Sequence, residues 1–221
     1  MGGRIRMWDA PVRLFHWTLA GLVVFSFVTG KLGGSWMQWH LKSGYCILAL
    51  LLFRLAWGVA GSDTARFSQF VRGPGAALDY ARATWARRSP VVAGHNPLGG
   101  WMVMLMLAAL LLQATTGLFA DDDIATQGPL AAKVSNATVA RLTAIHQWNG
   151  WVIAGAVALH VLAIGFYQWG LKVDLAGPMF HGGELPGGRE EKRGSNALAV
   201  GLFAAASAAV YYLVVIYPRS P

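Results

Sequence analysis

Six histidines, His16, His40, His95, His146, His160 and His181, are the residues of this chain best suited to bind a metal. The single cysteine, Cys46, excludes a disulfide scaffold, a thiolate zinc site, an iron–sulfur cluster and covalent haem attachment through Cys-x-x-Cys-His. His146 and His160 are the informative pair. On a helix their separation amounts to ~1400°, about 40° short of four full turns, and a rise of ~21 Å. Both imidazoles therefore share one face at two depths. Imidazoles so placed accept metal ions through a ring nitrogen, provided that other elements bring partners to the same depths.

Those elements are membrane spans. Hydrophobic residues make up 55% of the 221 residues and charged residues 13%, and the mean hydropathy is +0.45. Such a composition excludes disorder and an ordinary soluble domain. Five apolar runs, residues 11–30, 40–59, 98–119, 145–169 and 197–217, reach the ~20 residues that cross ~30 Å of hydrocarbon. None shows the alternation of a barrel strand, so the spans are helices. A cleaved signal peptide is a poor reading of the first run, which holds His16 and Trp17 and lacks a small-residue cleavage site. The expected fold is an all-α membrane protein, a four-helix transmembrane bundle plus a fifth C-terminal transmembrane helix. Its expected domains are a core over residues 1–181, a cytoplasmic linker over 182–195, Gly-rich and charged, and the additional helix over 196–221.

The net charge of +8 and pI near 10.1 do not indicate nucleic acid, because the basic residues sit between apolar runs as topology signals do. Thirteen of the 18 Lys and Arg residues lie before or at the start of the first span, between spans two and three (with Arg54 toward the inner end of span two), or between spans four and five. The expected N-terminus is cytoplasmic and the C-terminus periplasmic. The connection after the second span, with Phe67-Ser68-Gln69-Phe70 and a basic stretch over 80–88, reads as an interfacial helix on anionic lipid.

With that topology His16 and His160 fall toward the inner side and His40 and His146 toward the outer side. Two pairs at two depths suit two six-coordinate haems, each iron held by two axial imidazoles. Their irons would stand ~20 Å apart along the fourth span. Zinc would gather three or four ligands in one place, and a proton relay would add intramembrane Asp or Glu, of which the five runs contain none. Gly44 and Gly150, each four residues after a histidine, and Gly155 give a flat macrocycle access to the helix or serve helix packing. Arg54 either pairs with a propionate of the inner haem or snorkels to the interface. His95 suits a surface or propionate-contacting role, and His181, where the cytoplasmic linker begins, is expected to be solvent-exposed.

The chain also carries several quotable stretches. They are Trp8-Asp9-Ala10-Pro11-Val12-Arg13-Leu14-Phe15-His16-Trp17, His40-Leu41-Lys42-Ser43-Gly44-Tyr45, Arg54-Leu55-Ala56-Trp57-Gly58, residues 67–74 and 94–100, Gly117-Leu118-Phe119-Ala120-Asp121-Asp122-Asp123 and Gly128-Pro129-Leu130. Together, over about residues 4–182, they resemble the bacterial cytochrome b561 and nickel–iron hydrogenase b-type cytochrome family. The resemblance implies a four-helix inner-membrane core with two non-covalent haem b groups, their axial ligands falling on His16, His40, His146 and His160. It implies electron transfer between the quinone pool, ubiquinone or menaquinone, and a periplasmic c-type cytochrome or hydrogenase. One branch resembles a superoxide oxidase that reduces quinone, for which Lys31, Lys42, Lys133 and Arg141 would form a basic outer funnel. A haem-free solute transporter is disfavoured by the absence of inverted repeats.

Two further expectations concern the periphery. Gly201, Ala205 and Ala209 form a small-residue stripe through which the fifth helix packs on its own bundle, on a second copy or on a partner helix. Residues 130–143 read as an amphipathic helix roofing the outer haem, with Asp121, Asp122 and Asp123 at its rim to steer a basic partner.

Overall fold

The computed structural model describes residues 4–86, 88, 95–186 and 194–219. Arg87, Gly94, Arg189, Lys192 and Arg193, all used in the sequence reading, lie outside the described residues.

In chain order the elements are β1 (Arg4–Arg6), α1 (Ala10–Leu32), α2 (Met37–Ala60), α3 (Phe67–Phe70), α4 (Pro74–Trp85), α5 (Pro97–Gly117), α6 (Asn136–Gly165), α7 (Ala176–His181), β2 (Glu184–Pro186) and α8 (Asn196–Tyr211). A π turn, Phe166–Gly170, prolongs α6, and another, Tyr212–Ile216, prolongs α8. Among the described residues five helices are long and apolar enough to cross a membrane, and they are the five expected. Polar caps set several starts. Asp9 Oδ1 accepts the Val12 N–H ahead of α1, Asn96 Oδ1 accepts the Gly99 N–H ahead of α5, and Ser135 Oγ accepts the Thr138 N–H ahead of α6.

The chain forms two compact units, each fed by segments of several helices. The first comprises residues 1–14, 54–106 and 156–199, the second residues 15–53, 107–155 and 200–221.

In the first unit, one Asp9 carboxylate oxygen caps α1 while the other accepts Trp57 Nε1 (3.0 Å) and Ser62 Oγ (2.5 Å). Trp57 is wholly buried. Phe67 closes on Gly58, where a side chain would collide with its ring, and Phe70 closes on Gly100. The rings of the 67–70 segment therefore turn inward, while Ser68 and Gln69 are exposed. Its two rings meet glycines and Phe70 is buried, whereas α4 turns Trp85 outward. The linker is also less featureless than expected at its start. Gly182 and Gly183, both at positive φ, turn the chain so that β2 pairs antiparallel with β1, Arg4 opposite Pro186. Arg13 Nη1 ties into the same place by donating to the Phe180 carbonyl.

In the second unit, Leu48, Ala49, Leu118, Leu130 and Val210 form a buried cluster, and Phe53 meets Phe203 edge to face. The C-terminal helix thus packs on the bundle through Phe203, Ala206 and Val210, while Gly201, Ala205 and Ala209 are exposed. The stripe is not the face turned to its own bundle. The amphipathic roof over residues 130–143 is not formed either. Ala131–Lys133 is a single 3-10 turn, and from Asn136 the chain already belongs to α6. The Ser135 cap starts that helix nine residues before the apolar run begins.

Candidate functional site

Two histidines of the second unit face each other across a cavity of about 350 Å³. His40 is the fourth residue of α2 and His146 the eleventh of α6. Their ring centroids are 5.9 Å apart and their planes cross at 89°. His40 Nδ1 donates to the Ser26 carbonyl at 2.8 Å and shares that hydrogen with Ser26 Oγ at 3.2 Å. His146 Nδ1 donates to the Gln113 carbonyl at 2.9 Å. With the proton on Nδ1, each Nε2 keeps its lone pair.

An amide chain holds the His146 side further. Asn149 Nδ2 donates to the Ala109 carbonyl and to Gln113 Oε1, both at 2.8 Å. This fixes the Gln113 amide so that its Nε2 points at His146 Nε2, 3.1 Å away. Asn149 itself is buried.

Gly44 and Gly150 line the same cavity. A side chain at Gly44 would meet nothing within 4 Å, so the wall there is bare backbone facing open space. At Gly150 the nearest atom would be Gln113 Nε2 at 3.8 Å. Lys31 and Asp121 reach the lining, and Lys31 Nζ lies 4.4 Å from the Trp151 ring centre. Lys42 and Lys133 likewise rest on rings, those of Trp39 and Tyr217. Asp122 is held down to about 2 by the Thr126 N–H and then by those of Ala125 and Ile124, which all donate to its Oδ1.

His16 and His160 are half-buried, on α1 and α6 respectively, and the His16 ring meets Trp17 edge-on at 4.9 Å. They belong to different units. In the first unit Arg54 is 3% exposed and stacks over Phe67, 4.7 Å from the ring centre. Burial replaces the snorkelling alternative. Its Nη1 has no hydrogen-bond partner among the described residues. His95 is not a surface group. It packs between Trp8, at 4.6 Å, and Phe70, at 4.5 Å. His181 is exposed and accepts the Gly183 N–H.

Ser26, Thr29, Gly30, Gln113, Thr116 and Asn149 contribute to the site without having been singled out from the sequence, and Gly117 was named only as the start of the stretch to Asp123. Their one visible signal is polarity inside apolar runs, together with a Thr-Gly dipeptide at the end of both α1 and α5.

The arrangement can hold an ion that brings its own equatorial ligands. Two imidazoles binding one metal from opposite sides through bonds of ~2 Å have ring centroids ~6 Å apart, which the observed separation matches. Among the described residues no three His, Cys, Asp or Glu stand together to bind a bare metal ion.

The family model of the prokaryotic cytochrome b561 matches residues 7–182. The chain belongs to the prokaryotic cytochrome b561 family. As a member it is a multi-pass inner-membrane b-type cytochrome of electron transfer, and the family binds haem b. The match ends before α8, which lies beyond it. Neither the curated proteins nor the solved structures compared with it give a match.

Proposed function

We propose that this cytochrome b561 binds two non-covalent haem b groups, one held by His40 and His146 and the other by His16 and His160. It carries electrons between the quinone pool, ubiquinone or menaquinone, and a periplasmic partner, a c-type cytochrome or a hydrogenase. The observation that carries the reading is the His40–His146 pair, two crossed imidazoles 5.9 Å apart with both Nδ1 hydrogens spent on backbone carbonyls. The His16–His160 pair rests on the shared face of the fourth span and on topology.

Haem b bound by such imidazoles supplies reversible one-electron transfer at its iron. The chain's own residues do the rest. Each carbonyl acceptor fixes a tautomer and raises the basicity of the opposite nitrogen. Gly44 and Gly150 leave the α2 and α6 walls low enough for a flat ring to lie against them. If His146 Nε2 were to hold an iron, its lone pair would no longer be open to the Gln113 amide that now faces it. Arg54, buried with one nitrogen unpartnered, offers a cation to a propionate of the inner group. Burial of a guanidinium is costly; the Asp9 carboxylate acts on it already, and a propionate at Nη1 would offset more of that cost.

Lys31 at the cavity supports a second reading, a superoxide:quinone oxidoreductase in which a cation steers a small anion. Pyridine haemochrome analysis of the purified protein should give two haems b per chain and none covalent. His40→Ala and His146→Ala should each remove one and the same haem, His16→Ala and His160→Ala the other. Full haem content in any one variant removes that histidine from the ligand set. Stopped-flow mixing with reduced c-type cytochrome, quinol and superoxide then ranks the donors.

A further inference from the structure

A repeated local device surrounds the two facing histidines. In α1, Thr29 Oγ1 donates to the carbonyls of Phe25 (2.8 Å) and Ser26 (3.1 Å), the Ser26 carbonyl also takes His40 Nδ1–H, and Gly30 comes next. In α5, Thr116 Oγ1 donates to the carbonyls of Leu112 (2.6 Å) and Gln113 (3.2 Å), the Gln113 carbonyl also takes His146 Nδ1–H, and Gly117 comes next. Both threonines are buried, at 1% and 4% exposure. Both glycines are notches. A Cβ at Gly30 would stand 2.8 Å from His40 Nδ1, and one at Gly117 would stand 2.8 Å from His146 Cε1. The flanking residues differ, Phe-Ser-Phe-Val in one helix and Leu-Gln-Ala-Thr in the other, so no sequence repeat announces it.

The parts work together for a physical reason. A helical carbonyl already accepts the N–H four residues on, and here those N–H groups belong to Gly30 and Gly117. Its second lone pair is free for an imidazole only if the carbonyl tilts outward and the ring can come close. A threonine hydroxyl bonded back to the preceding turn bends the helix and tilts its carbonyls. The glycine then removes the one atom that would block the ring. Each histidine comes from the following membrane-spanning helix, so each seat fixes an imidazole that its own helix does not orient.

We propose that Thr29-Gly30 and Thr116-Gly117 are positioning residues, a matched pair of seats that lock the His40 and His146 rings in crossed orientation with Nδ1 protonated. The proposal rests on the reading of these histidines as axial ligands of one haem. Crossed imidazole planes give low-spin ferric haem a strongly anisotropic EPR spectrum with a single low-field feature, whereas parallel planes give an ordinary rhombic one. The seats therefore set the magnetic signature of that haem as well as its retention.

The test compares Gly30→Ala, Gly117→Ala, Thr29→Val and Thr116→Val with the wild type and with Gly21→Ala, a site on α1 where an added Cβ meets nothing within 4 Å. Either glycine variant should shift the low-field feature of one haem toward the rhombic form. Retention of that haem should weaken by about ten- to a hundredfold, the usual cost of losing a hydrogen-bond partner of a metal-ligating histidine. Thr→Val should shift the same feature, and Thr29→Ser and Thr116→Ser, which keep the hydroxyl, should restore it. If the glycine variants fail to assemble, the threonine set decides by the same signal. Wild-type spectra in all variants that bind haem overturn the proposal alone. A wild type lacking bis-imidazole haem overturns the ligand reading and the proposal with it.

Discussion

At Asp9 one carboxylate caps α1 and also holds Trp57 and Ser62, so three segments of the first unit meet on two oxygens. Asp9→Ala removes an N-cap, worth ~1 kcal/mol, and strands the indole N–H of a wholly buried Trp57, at ~1–3 kcal/mol. Unfolding in detergent should show a loss of about 2–4 kcal/mol, with Asp9→Asn, which keeps a cap oxygen, losing less. A midpoint unchanged in Asp9→Ala would show that Trp57 finds another acceptor. At this scale the sequence was readable where residue type carries the chemistry. The histidines stood out as ionisable groups in apolar runs, and His40 and His146 do meet. Gly30 and Gly117 were not readable, because a glycine becomes meaningful only against the ring that a different helix delivers. Arg54 was named, but its burial depends on Phe67, thirteen positions along and in another element.

Between α5 and α6 the turn at Asp121–Gln127 is built on its own carboxylates. Asp122 Oδ1 takes three backbone N–H groups, and Asp121 takes the Asp123 N–H and Gln127 Nε2. Asp123 stands in the same turn at φ 57°. A pKa near 2 against an ordinary 3.8 means that the folded turn prefers the ionised form. The stabilisation is therefore complete above the ordinary value and is lost as pH falls through about 2. NMR shifts of the Ile124, Ala125 and Thr126 amides should stay native at pH 4 and move only below about pH 3. In Asp122→Ala they should already be displaced at neutral pH, and unchanged shifts would remove the structural role. A docking role for the acidic rim is accordingly best tested with Asp123→Asn, which leaves the turn intact. Elements were readable where hydropathy marks them, as the five spans show. Their ends were not, because Ser135 starts α6 by a hydrogen bond in a stretch that hydropathy reads as connection. In the aromatic segment 67–70 hydropathy does not tell which side the rings take, because rings suited to lipid also suit glycine notches.

For the whole molecule the number of crossings decides which side each end faces. Pairing of β1 with β2 requires residues 4–6 and 184–186 to lie on one side of the membrane. An even number of spans must then separate them, and α1, α2, α5 and α6 supply four. The positive-inside rule predicts the cytoplasm for that side, since the segment before the first span and the connections after spans two and four hold eleven of the 18 Lys and Arg, with Arg13 in α1 and Arg54 in α2 toward the same side. From there α8 is long and apolar enough for a fifth crossing, and its burial through Ala206 and Val210 in the second unit places it among the spanning helices. A periplasm-sensitive reporter fused after Pro186 should read cytoplasmic and one fused after Pro221 should read external. Two cytoplasmic readings would mean that α8 does not cross. An external reading after Pro186 with a cytoplasmic one after Pro221 would invert the molecule. His40 and His146 would then lie toward the cytoplasm and the partner of that haem would have to be sought there.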